Sequence, residues 1–155
     1  MIEFDSTILP WLLLLPFIGG LLAWQTERVS QVLPRWIALF TMLAFLVITC
    51  LIWIQGGYGV GQIVDAVGGK PVWQLDFQRD WIPRFGISFH LALDGLSLIM
   101  LLLTGFLGLL AVACSWKEID RHVGFFHLNL LWNLGGVAGV FLAVDLFLFF
   151  FFWEM

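Results

Sequence analysis

At 155 residues the chain is long enough for one ordinary domain, but 61% of it is hydrophobic and only 12% charged, with a mean hydropathy of +1.00. Charged residues make up about a quarter of a soluble globular domain; half that share, arranged in long apolar runs, excludes an ordinary soluble core and points into a bilayer. The formal net charge of -4 leaves no basic face for nucleic acid.

The first apolar run, Ser6 to Thr26, is uncharged throughout and lies between Asp5 and Glu27. It is long enough to span a membrane, and Glu3 and Asp5 precede it rather than Lys or Arg, so a retained helix over 6–26 is expected rather than a cleaved leader. Trp11 and Trp24 fall where the two interfaces would be. Pro10 suits a first turn, and Pro16, deeper in, is expected to kink the helix. A polar link carrying Arg28 and Arg35 leads to a second span over 36–54, again with a tryptophan near each end, Trp36 and Trp53. The Gly56–Gly61 stretch lacks the strand before it and the Lys-Ser/Thr after it that a phosphate loop needs, and reads as a turn.

From Lys70 to Leu93 the pattern changes. Trp73, Leu75 and Phe77 alternate with Gln74, Asp76 and Gln78, and, after Asp80-Trp81-Ile82-Pro83, Phe85, Ile87, Phe89, Leu91 and Leu93 alternate with Gly86, Ser88, His90, Ala92 and Asp94. Period two predicts two strands, a hairpin over 70–93 lying on the membrane surface. His90 falls on its polar face, where a solvated or hydrogen-bonded side chain is expected rather than a ligand.

Asp94 stands in the N-cap position of a third span over 95–116, and Gly105 and Gly108 give that helix a small-residue surface for a close neighbour. The fourth span, 123–144, contains His127, Asn129, Asn133 and a Gly135/Gly139 pair. The amides are expected to hydrogen-bond between helices and His127 to make a structural bond. Cys50 and Cys114 fall in apolar runs near opposite faces, so no disulfide is expected between them.

The last stretch, 146–155, runs through eight apolar side chains to Glu154 and Met155. Counted from Asp145, Glu154 lies about 13 Å along a helix rising about 1.5 Å per residue, deep in a hydrocarbon core about 30 Å thick. An acid at that depth costs a few kcal/mol even on lenient scales, normally faces protein or water, and often marks an ion or proton path. The expected fold is thus an all-α polytopic membrane protein with four full spans, a truncated fifth and an extracytoplasmic hairpin between helices 2 and 3. A helix stopping at Met155 would leave carbonyls unpaired in hydrocarbon, so the expectation is an amino-terminal fragment that does not work alone. Arg28, Arg35, Lys117 and Arg121 put the first and third links in the cytoplasm and the amino terminus outside.

Asp80 to Ser97 resembles the segment leading into the third helix of antiporter-like membrane subunits, and Phe147 to Met155, with its Trp-Glu-Met, their fifth helix. Ser115 to Glu118 and Phe125 to Asn129 resemble the M type of bacterial proton-translocating NADH:quinone oxidoreductase, respiratory complex I. The resemblance implies a roughly fourteen-helix translocase subunit of the membrane arm of the bacterial inner membrane, packed against other membrane-arm subunits and lipid. It implies protons as the transported ion. No cofactor is implied in this chain; NADH, FMN, iron–sulfur clusters and quinone would reside in partner subunits, so this chain carries no redox site. Glu154 matches the fifth-helix glutamate of the family, which pairs with a lysine on a later broken helix. Three alternatives stay open: a subunit of a multi-subunit cation/proton antiporter, one of a membrane-bound hydrogenase, or a purely structural scaffold in which Glu154 holds a helix pair together.

Overall fold

The computed structural model describes residues 5–56 and 73–155; the Gly-rich stretch from Gly57 onward and residues 70–72 of the expected hairpin lie outside them. Four long helices, α1 (Ile8–Thr26), α2 (Leu33–Gln55), α3 (Gly95–Cys114) and α4 (Val123–Leu142), are each long and apolar enough to cross a membrane. Between α2 and α3 the chain forms an antiparallel hairpin of β1 (Leu75–Ile82) and β2 (Ile87–Leu93). The strands are joined by a 3-10 turn over Pro83–Phe85 and by Gly86, whose φ of +67° favours glycine. A short helix, α5 (Leu146–Trp153), follows α4.

The helices run alternately up and down. Each packs on its chain neighbour, and α1 closes the ring against α4. Leu9, Leu12, Met42, Phe45, Leu98, Leu101, Leu131 and Leu142 fill the centre. The small-residue surface of α3 is used as expected: a Cβ at Gly105 would stand 3.1 Å from the Phe45 ring, and one at Gly108 would collide with the Met42 methyl. Thr41, Thr49 and Thr104 return their hydroxyls to carbonyls one turn back, at 2.7–2.8 Å, so among the described residues the buried threonine hydroxyls are all paired. Trp11, Trp24, Trp36 and Trp53 all turn outward, as interfacial tryptophans do.

Several boundaries differ from the sequence reading. α2 begins at Leu33 rather than Trp36, because Pro34 fits its first turn. α3 stops at Cys114, and Trp116 turns edge-on to Trp36, ring centroids 5.2 Å apart. α4 ends at Leu142, two residues before the expected Val144, because Ala143 turns extended and pairs with Leu91 of β2. α1 continues through Pro16 as one helix.

Candidate functional site

α5 starts where three elements meet. Asp145 caps it: Oδ1 accepts from the N–H of Phe147 at 2.8 Å and of Leu148 at 3.4 Å, and Oδ2 accepts from the N–H of Ser88 in β2 at 3.3 Å. Burial, the largest single influence, pushes this carboxyl's pKa up. The hydrogen bonds from Ser88, Phe147 and Leu148, with the nearby His90, outweigh it and hold the carboxyl below its ordinary range. From this anchor α5 descends along α4 with Leu148 and Phe152 buried. The Phe152 ring lies where a Cβ at Gly139 would sit, and a Cβ at Gly136 would touch the Phe152 carbonyl and the Met155 Cβ at 3.4 Å. Gly136 is six residues inside α4, about 9 Å at 1.5 Å per residue, so the lower end of α5 lies well within the span.

Glu154 is the C-cap of α5, its N–H donating to the Phe150 carbonyl at 3.1 Å. The sequence reading places Glu154 deep in the span, facing protein or water; within this chain it is exposed on the flank of the bundle. The reason is helical phase. At about 100° per residue Glu154 is turned about 200° from Phe152, away from the face that α4 covers. Among the described residues its carboxylate has no ion-pair partner. Beside it, α4 and α5 enclose a groove of about 330 Å³ whose lining includes Gly136, Val137, Val140, Phe152 and Met155, with Asn133 as its polar member. The groove thus presents an amide on the α4 side of α5, while Glu154 presents its carboxylate on the opposite face.

The remaining polar residues do quieter things. Asn129 donates to the Phe125 carbonyl of its own helix at 2.7 Å rather than to a neighbour. An amide six residues inside an apolar helix is satisfied most simply by the preceding turn. His127 is fully buried, with Nδ1 2.7 Å from the Val123 carbonyl and, among the described residues, no partner for Nε2. His90 bonds Asp76 across the hairpin at 2.7 Å, and Asp94 accepts from the Ser97 N–H at 2.7 Å, both as expected. Cys50 and Cys114 are free thiols. The sequence reading misses Asp145, which it takes only as the last charge before an apolar run. The cap signature that identifies Asp94 was present there too, an Asp directly before a helical apolar stretch.

No family profile matches the chain. It is 64% identical over 148 residues to NADH-quinone oxidoreductase subunit M of Escherichia coli K12, and 62% identical over 148 residues to subunit M of Pseudomonas aeruginosa PAO1. Each match covers 96% of this chain and 28% of the relative's length. Among solved structures it resembles a chain of the membrane-bound sulfane sulfur reductase, an archaeal respiratory membrane complex. That match has a TM-score of 0.60 and 26% identity, covering 94% of this chain and 21% of that one. The resemblance read from Asp80–Ser97 and Phe147–Met155 is thus borne out over nearly the whole chain.

Proposed function

We propose, taking as premise that a chain so similar to subunit M is built and used as subunit M is, that this one is a portion of a membrane-arm subunit of NADH:quinone oxidoreductase. There it contributes to proton translocation driven by quinone reduction elsewhere. The observation that carries the reading is Glu154: a carboxylate on a helix that enters the span, facing an uncovered flank with no partner among the described residues. An acid in hydrocarbon holds its proton more tightly than one in water, and an approaching ammonium reverses this. A cation supplied from outside this chain and moved toward or away from Glu154 would therefore drive release and uptake of a proton, with no redox chemistry in these residues. The assembled complex places other membrane-arm subunits and lipid against the outward apolar faces, with NADH, FMN, iron–sulfur clusters and quinone in partner chains. The basic residues put the amino terminus and hairpin on the periplasmic side of a bacterial inner membrane.

The sulfane sulfur reductase resemblance leaves a related respiratory complex as the second reading, at a far lower identity. A chimera tests the choice: this chain replaces the matching segment of E. coli subunit M, and NADH-driven proton pumping is measured in membrane vesicles. The expected outcome is an assembled complex that pumps. A complex that fails to assemble with this segment, although all its other subunits are native, would overturn the reading.

A further inference from the structure

The hairpin does more than cover the bundle. Backbone groups of successive strand residues point to alternate edges, and several of those of β2 that face away from β1 are taken by the α4–α5 connection. Val144 N–H donates to the His90 carbonyl at 3.1 Å, Ala143 pairs with Leu91, and Ser88 N–H donates to Asp145. The connection thus lies against the outer edge of β2 through one isolated bridge and two hydrogen bonds, and ends in the residue that caps α5. Above it Trp81 of β1 packs edge-on to Phe147 and Phe151 of α5, ring centroids 5.9 and 6.5 Å apart. Phe147, Phe151 and Glu154 are spaced i, i+4, i+7, which is one face of a helix. Trp81 therefore grips the same face that, two turns from its start, presents the carboxylate.

α5 buries only Leu148 and Phe152, and a slip of one residue would shift it about 1.5 Å and rotate it about 100°. Something must hold its phase. We propose that the Ser88–Asp145 hydrogen bond and the Trp81 contact index α5, fixing the depth and rotation at which Glu154 meets its partner. Asp145 and Trp81 are then positioning residues acting through Glu154. This rests on the reading of Glu154 given above.

Asp145→Asn separates capping from indexing. Asn is as good an N-cap as Asp, so one oxygen still serves Phe147 and Leu148, but its amide N–H groups meet the Ser88 N–H donor to donor. The experiment uses the full-length subunit in its assembled complex, with Asp145→Asn, Trp81→Ala and Glu154→Gln side by side. It records assembled complex, protons moved per NADH and the pH profile of pumping. The first two variants should assemble near wild-type level, lose pumping per NADH on the order of tenfold, the scale at which small misplacements act, and shift the pH profile. Unchanged stoichiometry and pH profile in both overturns the proposal. Loss of complex with normal stoichiometry in what remains overturns it too, since the contact then serves folding alone. Normal pumping by Glu154→Gln instead removes the underlying reading.

Discussion

At Asp145 one side chain closes two structures. A carboxylate has two oxygens and accepts only; here one oxygen ends the exposed N–H groups of α5 and the other ends the free edge of β2. A folded-state pKa below the ordinary 3.8 means that folding favours the ionised form. The stabilisation is then complete above the unfolded pKa and is lost as pH falls through the folded one. Hydrogen exchange at the Phe147 and Leu148 amides in the assembled complex should accordingly stay protected from neutral pH down to about 4 and lose extra protection below it. Asp145→Asn should show no such acid-dependent loss. Protection that falls to the same extent in both would contradict the assignment.

At the level of elements, α5 is seated by an absence. Gly139 leaves room for the Phe152 ring, which any Cβ there would displace. Gly139→Leu is therefore expected to unseat α5, at a cost of about 1–3 kcal/mol for overpacking, and to reduce assembled complex while Gly95→Ala, with nothing within 4 Å, leaves it unchanged. Immunoblots of native gels would measure both. Much of this arrangement was legible in the sequence because its signals are local: apolar length marks the four spans, alternation marks β1 and β2, and Asp94 marks the start of α3. What escaped depends on residues far apart in the chain. α4 ends early because Ala143 meets Leu91, some fifty residues earlier, and no local pattern in Val144 announces it. The exposure of Glu154 likewise follows from which face of α5 lies on α4, and that depends on the room left by Gly136 and Gly139 and on the Asp145 and Trp81 contacts rather than on the acid's own neighbours.

For the molecule as a whole, the alternating helices put the α1–α2 and α3–α4 links on one face and the hairpin on the other. Contacts tie each face together: the Arg35 guanidinium donates to the Ile119 carbonyl at 2.8 Å on the first, and Ser88 donates to Asp145 on the second. If basic residues set the orientation, single cysteines at Ser30 and Glu118 in a background lacking Cys50 and Cys114 should react with an impermeant maleimide only in inverted vesicles. One at Arg79 should react only in right-side-out cells; the reverse labelling would invert the proposed topology. The central claim concerns ionisation of a single group, and proton stoichiometry reads it most directly. Protons translocated per NADH oxidised, measured in vesicles carrying equal amounts of assembled complex, should fall nearly to zero with Glu154→Gln and remain partly intact with Glu154→Asp. A Gln variant that moves as many protons per NADH as the wild type would contradict the account.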